Sequence, residues 1–254
     1  MNILGRSVRN LVRLAGYSLV RCQKSTGYPM DFTAKEAALV DAVMPYTMTP
    51  PGRVLAMIHA VDYIQRCAIE GDIVECGVWR GGSMMAAAKT LIANDATDRT
   101  LWLYDTFEGM TAPTVHDVSS KGIKASDKFA KRQSSDDRSN WCNASIEDVT
   151  QNMKSTGYPQ ERIRLVKGKV EETISAQAPS KIAILRLDTD WYESTRHEME
   201  MLFPRLVQGG ILIIDDYGDW AGARKAVDEY LAAHRVPLFL GRIDDTARLG
   251  IKIS

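Results

Sequence analysis

From Asp72 to the C-terminus, short apolar runs alternate with helical patterns, and this alternation restricts the fold more than any other feature of the sequence. The runs are DIVECG (72–77), TLWLYD (100–105), RIRLVKG (162–168), KIAILRLD (181–188) and GGILIIDD (209–216). Apolar runs separated by helices are typical of a parallel sheet with helices on both faces. We therefore predict an α/β fold with a doubly wound, mostly parallel sheet. Gly209 and Gly210 are predicted to end the connection before the last of these strands, and LFLGRI with ARLGIKI to form a closing hairpin.

Length, charge and cysteine usage narrow the class of protein. A chain of 254 residues can form one large core, or one domain with an appendage. Its 32 basic and 32 acidic residues balance, which argues against nucleic-acid binding through an excess of positive charge. The 4 cysteines form no CxxC pair, so we predict free thiols and a cytoplasmic location.

The first 70 residues precede the sheet and are predicted to be mostly helical. We assign residues 1–70 to an N-terminal extension that caps the donor and acceptor sites, and residues 71–254 to the catalytic domain. Five basic residues within residues 1–24 and apolar residues at helical spacing predict a basic amphipathic helix over about residues 3–22. Packing on the domain or on another subunit is one interpretation. Peripheral contact of residues 1–24 with the inner face of the membrane is the other.

A polar stretch at about residues 111–140 follows the second apolar run and is rich in Ser, Lys and Asp. It is too long for an ordinary connection, so we predict that it is a functional lid over a binding site.

The turn after the first strand carries three glycines and an acid. Gly77, Gly81 and Gly82 let the backbone approach a ligand and direct free N–H groups at it. Their spacing is not G-x-G-x-x-G, and Glu75 would repel a pyrophosphate. Asp105 ends the second strand, where a carboxylate can accept hydrogen bonds from ribose hydroxyls. An adenosyl ligand with a cationic tail, S-adenosylmethionine, fits best; NAD(P) or helix-capping acids without a cofactor are the alternatives.

Three further aspartates end the fourth and fifth apolar runs. Asp188 follows one strand, and Asp215 and Asp216 follow the next, so all three are predicted at one crevice. Clustered carboxylates repel one another unless a cation neutralises them, and oxygen ligands favour Mg²⁺, Ca²⁺ or Mn²⁺. The alternative, for Asp190 and Asp216, is that they cap the following helices.

Four motifs in this order resemble one family: VECGVWRGGS, LYDTFEG, LRLDTDWYEST and GGILIIDDYGDWAGARKAVDEY. They are similar to the metal-dependent sugar O-methyltransferases of the macrocin O-methyltransferase (TylF/MycF) type over about residues 45–254. The resemblance implies a class I methyltransferase (Rossmann-like) fold with a seven-stranded sheet. It also implies transfer of a methyl group from S-adenosylmethionine to a sugar hydroxyl, with Mg²⁺ as the metal.

The resemblance also implies roles for individual residues. Those around the donor are Thr49, which closes over it, Glu75, Cys76, Gly77, Val78, Trp79 and Ser83 in the turn motif, Asp105 on the ribose, and Gly168 and Lys169 beside the adenine. The implied metal ligands are Asp188, Asp215 and Asp216. A histidine in the loop after the second strand is the family's general base, and here only His116 lies in that loop. It is closer to the strand than the family pattern places it, so Asp188, Asp190 or the metal alone are alternatives.

The predicted activity is thus methylation of a sugar in a glycan, a glycolipid or a natural-product glycoside. Two alternatives belong to other classes: an NAD(P)-dependent oxidoreductase, and a non-catalytic membrane-associated scaffold in glycan assembly. The family resemblance further implies a homo-oligomer.

Overall fold

The computed structural model describes residues 27–135 and 137–253, which fall into two compact units divided between Thr33 and Ala34. In the first unit, the rings of Tyr28 and Phe32 stack with centroids 4.7 Å apart. The predicted basic helix over residues 3–22 lies outside the described residues, so its contacts stay predictions. Within the described ranges, no helix combines the length and the apolar character that crossing a bilayer requires.

The second unit alternates helices and strands along the chain. The helices are α1 (Ala34–Val43), α2 (Pro51–Arg66), α3 (Gly82–Ala93), α4 (Ala125–Ala130), α5 (Ile146–Ser155), α6 (Val170–Thr173), α7 (Tyr192–Met201) and α8 (Ala221–Ala233). The 3₁₀ turns are Met44–Tyr46, Gln160–Arg162 and Phe203–Arg205. The strands are β1 (Asp72–Cys76), β2 (Leu101–Asp105), β3 (Gln133–Ser135), β4 (Arg138–Ser139), β5 (Ile163–Lys167), β6 (Ile182–Leu187), β7 (Leu206–Ile214), β8 (Gly241–Arg242) and β9 (Arg248–Ile251).

Seven strands form one sheet in the order β5-β2-β1-β6-β7-β9-β8. Strands β5, β2, β1, β6 and β7 are parallel, and β9 and β8 close the edge antiparallel. The predicted doubly wound, mostly parallel seven-stranded sheet and the closing hairpin are confirmed. Because β1 lies between β2 and β6, the ends of the strands that carry the predicted donor and metal residues are neighbours.

Apolar side chains on the sheet and on the covering helices make the core. Alternate residues of β6 and β7, such as Leu185 and Leu212, pack with Met199 of α7 and Val227 of α8. Helices α1 and α2 belong to the same compact unit as the sheet. Ahead of the sheet, the described chain is helical over Ala34–Val43 and Pro51–Arg66, with a 3₁₀ turn at Met44–Tyr46. The proposed division at residue 70 stays a prediction.

The prediction that Gly209 and Gly210 end the connection before the last parallel strand is wrong, since both lie inside β7. The register with β6 shifts there, from Ile182 opposite Leu206 to Ile184 opposite Ile211. Gly209 has φ of 80°, a conformation that accommodates the extra residues of the shift because glycine has no Cβ. The strand therefore continues through the irregularity.

The predicted lid has secondary structure of its own. It contains α4 and the β3–β4 hairpin, and Val118 forms a bridge with Lys124. Ser119 forms a second bridge with Trp220, which follows β7. This segment is therefore attached to the end of the sheet at which the predicted site lies.

Candidate functional site

A cavity of about 610 Å³ lies at the carboxyl ends of β1, β2, β6 and β7. The residues predicted from the sequence that line it are Thr49, Glu75, Gly77, Val78, Trp79, Ser83, Asp105, Gly168, Lys169, Asp188, Asp215 and Asp216. The cavity therefore brings together the predicted donor and metal residues, with two exceptions among the predicted site residues.

Cys76 and His116 are the two exceptions. Cys76 precedes Gly77 in β1, but its side chain points to the opposite face of the sheet from Glu75 and is fully buried in the core. His116 lies in the lid, where its ring contacts Tyr192 with centroids 4.7 Å apart and its Nε2 lies 3.5 Å from Lys225 Nζ. Neither side chain lines the cavity.

The turn after β1 is held by Asp105. Its Oδ2 accepts hydrogen bonds from the backbone N–H groups of Val78, at 2.8 Å, and Trp79, at 3.2 Å. Its Oδ1 accepts one from Phe107 N–H at 2.8 Å. Burial raises the pKa of the Asp105 carboxyl, against the lowering effect of these hydrogen bonds. The carboxylate therefore shapes the turn as well as lining the cavity.

Backbone strain is concentrated around the cavity. Trp79, Cys142 and Asp190 all line it and all have positive φ, at 46°, 50° and 68°. Phe107, next to the cavity-lining Thr106, has φ of 53°. Residues other than glycine adopt this conformation only where their surroundings fix it, and they cluster at functional sites. The strain supports the assignment of this cavity as the site.

The edge of the cavity that follows β5 is formed by Gly168 and Lys169. Gly168 has φ of 138°, and its N–H donates to the Asp105 carbonyl oxygen at 3.0 Å. Lys169 Nζ forms an ion pair with Asp137 beside the β3–β4 hairpin. From the N-terminal side, Thr49 is 8% exposed and its Oγ1 lies 3.0 Å from Thr47 Oγ1. Gly168 and Lys169 therefore connect the ends of β2 and β5 with the lid, and Thr49 lines the same cavity from another segment.

The three predicted metal ligands converge. One carboxylate oxygen from each of Asp188, Asp215 and Asp216 lies within 4.8 Å of the other two. Burial raises the pKa of the carboxyl groups of Asp188 and Asp216 well above its ordinary value, and the neighbouring carboxylates raise it further. Asp190 also lines the cavity, and burial is the largest effect that raises its pKa to about 7.

Two arginines lie among these acids and were not among the residues predicted from the sequence. Arg186 of β6 contacts Asp188 at 2.6 Å, Asp215 at 2.5 Å, and Glu75. Arg53, in the first turn of α2, contacts the other oxygen of Asp215. A signal for Arg186 was present in the sequence, because an arginine in an otherwise apolar strand needs acidic partners. Arg53 lies far away in the sequence and gave no such signal.

The chemistry of the acidic cluster fits a divalent cation. Glu75, Asp188, Asp190, Asp215 and Asp216 outnumber the guanidinium groups of Arg53 and Arg186, so these carboxyl groups can all ionise together only when a further cation neutralises them. The convergent atoms are carboxylate oxygens, the ligands that Mg²⁺, Mn²⁺ and Ca²⁺ prefer. Asp188, Asp215 and Asp216 are thus suited to hold such an ion.

A polar wall of the cavity comes from the lid, the segment after β7 and the C-terminal hairpin. Its residues include Thr111, Ser120, Lys121, Asp219, Asp245 and Thr246. Three tryptophans pack against one another, with ring centroids of Trp191 and Trp220 5.1 Å apart and Trp141 of the lid region 5.5 Å from Trp191. Trp191 also lines the cavity. This aromatic cluster attaches the lid region to the segments that follow β6 and β7.

Comparisons with known proteins show the family to which the chain belongs. The model of the macrocin O-methyltransferase (TylF) family matches residues 10–249. Demethyldecarbamoylnovobiocin O-methyltransferase of Streptomyces niveus is 35% identical over 69% of this chain and 66% of its own length. Mycinamicin III 3''-O-methyltransferase of Micromonospora griseorubida is 31% identical over 83% of this chain and 80% of its own length. The chain thus spans about two thirds to four fifths of these relatives.

A solved structure shares the fold. The O-methyltransferase NovP superposes with a TM-score of 0.72 at 28% sequence identity, covering 82% of this chain and 83% of its own.

Proposed function

Because the chain belongs to the macrocin O-methyltransferase (TylF) family, whose members are S-adenosylmethionine-dependent O-methyltransferases, we propose that it methylates a hydroxyl of a sugar-containing acceptor with the help of a divalent cation. The observation that carries the proposal is the convergence of Asp188, Asp215 and Asp216 in the same cavity as the donor turn. The family assignment favours a methyltransferase over an NAD(P)-dependent oxidoreductase or a non-catalytic scaffold.

Glu75 supports the proposal that the donor binds in this cavity. This residue is 1% exposed, and its Oε2 is buried and has no hydrogen-bond partner among the described residues. A buried carboxylate oxygen without a partner is costly unless a ligand satisfies it. The ammonium group of S-adenosylmethionine is such a ligand. The prediction that the glycines direct free N–H groups at the ligand does not hold for Gly77 and Gly81, whose N–H groups donate to the carbonyl oxygens of Tyr104 and Val78.

The cation's place is the cluster of Asp188, Asp215 and Asp216. When bound, a divalent ion there supplies Lewis acidity, which lowers the pKa of an acceptor hydroxyl and orients it. The protein's own contribution is to hold the two substrates in line and to exclude water, and positioning of this kind accounts for a large part of a transfer reaction's rate.

Asp190 is the residue that we propose to receive the acceptor's proton. It lines the cavity beside the three converging carboxylates, whereas His116 does not line the cavity. Asp190 follows β6 in the chain, and its backbone has the left-handed conformation, with φ of 68°. This assignment selects one of the alternatives that the sequence left open.

The acceptor's place is the polar wall formed by the lid, the segment after β7 and the C-terminal hairpin. Hydroxyl and carboxylate groups from Ser120, Asp219, Asp245 and Thr246 offer the hydrogen bonds that a polyhydroxylated sugar requires. The names of both relatives describe enzymes of natural-product glycosides, which supports a sugar-containing acceptor for this chain as well.

A methyl-transfer assay with mass-shift readout tests the proposal against a panel of glycosides, nucleotide sugars, glycolipids and catechols. We expect a gain of one methyl group on a sugar acceptor, loss of turnover with EDTA, and recovery with MgCl₂. Asp216→Asn removes one converging carboxylate and should abolish metal-stimulated turnover while donor binding persists. Asp228→Asn, on the exposed face of α8, is the matched control. Full turnover of the wild type in EDTA would contradict the role of the metal.

Two further parts of the proposal rest on the sequence. These are peripheral membrane contact through residues 1–24 and assembly into a homo-oligomer. The basic, amphipathic pattern of the N-terminus supports the first, and the family resemblance supports the second.

A further inference from the structure

Arg186 connects the donor end of the cavity with the acidic cluster. It lies on β6 directly opposite Glu75 of β1, and its side chain is 3% exposed. Its Nη1 contacts both Glu75 Oε1 and Asp188 Oδ2, the latter at 2.6 Å. Its Nη2 contacts Asp215 Oδ1 at 2.5 Å. One guanidinium group is therefore shared among three carboxylates.

These three carboxylates belong to two different binding sites. Glu75 has the unpartnered oxygen that suits the donor's ammonium group, whereas Asp188 and Asp215 belong to the set that suits a cation. Arg186, Glu75 and Asp215 are deeply buried and Asp188 is partly buried, so little water screens the interactions between these charges. A change of charge at one of the three acids therefore changes how strongly Arg186 interacts with the other two.

We propose that Arg186 is a positioning residue that couples donor binding to cation binding, an inference that rests on the proposed function. When the donor's ammonium group neutralises Glu75, the guanidinium pairs more strongly with Asp188 and Asp215. The guanidinium then competes with the cation for these carboxylates, so donor binding weakens cation binding. By thermodynamic linkage, the cation weakens donor binding by the same factor.

Arg53 provides the internal comparison. It also contacts Asp215, but its other partners are Asp244 and Thr246 of the C-terminal hairpin. It makes no ion pair with Glu75 among the described residues. Arg53 therefore affects the strength of the cation site and does not relay the state of the donor site.

Isothermal titration calorimetry tests the coupling. The probe is MgCl₂, titrated into the full-length protein with and without saturating S-adenosylhomocysteine, which carries the same ammonium group as the donor. In the wild type we expect the Kd for Mg²⁺ to rise about fivefold or more when S-adenosylhomocysteine is bound. In Arg186→Lys the ratio of the two Kd values should fall to about one, because a single ammonium cannot bridge three carboxylates. In Arg53→Lys the Mg²⁺ affinity changes but the ratio stays at its wild-type value.

A second pair of variants tests the coupling between the donor and cation sites even if the Arg186→Lys variant does not fold. Glu75→Gln mimics the neutralised donor-site acid, so it should raise the Kd for Mg²⁺ severalfold although Glu75 is not among the converging ligands. Glu171→Gln removes another carboxylate of the cavity wall that makes no ion pair with Arg186 within the described ranges. It should leave the Kd unchanged. In the Arg186→Lys background, the effect of Glu75→Gln should shrink.

The results separate this inference from the proposed function. A wild-type ratio of one, an unchanged ratio in Arg186→Lys, or equal effects of Glu75→Gln and Glu171→Gln would overturn the coupling while leaving the methyltransferase assignment intact. Failure of the wild type to bind either S-adenosylhomocysteine or Mg²⁺ would instead overturn the proposed function.

Discussion

Gly77 is the position at which a single methyl group should disturb the donor turn and the acidic cluster together. It follows β1 with φ of 79°, and a Cβ there would lie 2.1 Å from the carbonyl oxygen of Asp188 and 2.6 Å from its carbonyl carbon. Both atoms belong to the backbone, so no rotamer change relieves the clash. Gly77→Ala should therefore push the end of β1 away from the end of β6.

The expected loss of folding free energy has a backbone contribution and a packing contribution. The left-handed conformation costs alanine about 1–2 kcal/mol, offset by about 0.4–1 kcal/mol because alanine is less flexible in the unfolded chain. Overpacking adds about 1–3 kcal/mol. Gly157 is the matched control, since its φ is 80° and a Cβ added there would meet no atom within 4 Å. Gly157→Ala should be destabilised only by the net backbone contribution. The free energies of unfolding of the two variants should therefore differ by the packing contribution, about 1–3 kcal/mol.

Urea denaturation gives the free energy of unfolding of both variants, and Mn²⁺ titration followed by calorimetry reports the acidic cluster. We expect Gly77→Ala to be the less stable variant and to bind Mn²⁺ more weakly, with Gly157→Ala at wild-type Mn²⁺ affinity. Equal stability of the two variants, with unchanged Mn²⁺ binding in Gly77→Ala, would show that the two strand ends are not in contact as described.

Three further predictions concern the surroundings of the site. Burial raises the pKa of Glu198, whose Oε1 accepts a hydrogen bond from Thr189 at 2.9 Å. The folded state thus keeps a proton that the unfolded state loses above about pH 4.3, so the free energy of unfolding should fall as pH rises from there. Glu198→Gln should flatten this slope in urea titrations at several pH values, and an identical slope would refute the reasoning. Ser145→Ala removes the side-chain oxygen that accepts the Asp148 N–H at 3.2 Å and should cost about 1 kcal/mol in the same assay; no loss would argue against the cap. Trp141→Ala removes two aromatic contacts, at 5.5 and 6.1 Å, and should cost roughly 1–3 kcal/mol and speed proteolysis of the lid, whereas unchanged proteolysis would mean that the cluster does not hold it.

The sheet could be predicted from the sequence because each buried parallel strand is a short apolar run between helical patterns. The convergence of Asp188 with Asp215 could be predicted for the same reason: once β6 and β7 are neighbours, residues that follow them meet at one edge of the sheet. Gly209 and Gly210 were misplaced because a glycine pair ends a strand as readily as it permits an irregularity inside one.

The directions of side chains and the contacts between residues distant in the sequence were harder to predict from the sequence. All residues from Glu75 to Trp79 were predicted to lie around the donor. Neighbouring residues of a strand point to opposite faces of the sheet, however, so the Cys76 side chain lies in the core. Arg53 meets Asp215 across 162 positions of the chain, a contact that no local pattern encodes. His116 was placed by its loop alone, and its position depends on how the lid packs against α7 and α8.

The most direct test of the account is a crystal grown with S-adenosylhomocysteine and soaked in MnCl₂, with diffraction recorded at an energy at which manganese scatters anomalously. We predict one anomalous peak between the carboxylates of Asp188, Asp215 and Asp216, beside the nucleoside in the cavity. Clear density for S-adenosylhomocysteine with no anomalous peak among these carboxylates would contradict the claim that they hold the cation of the reaction.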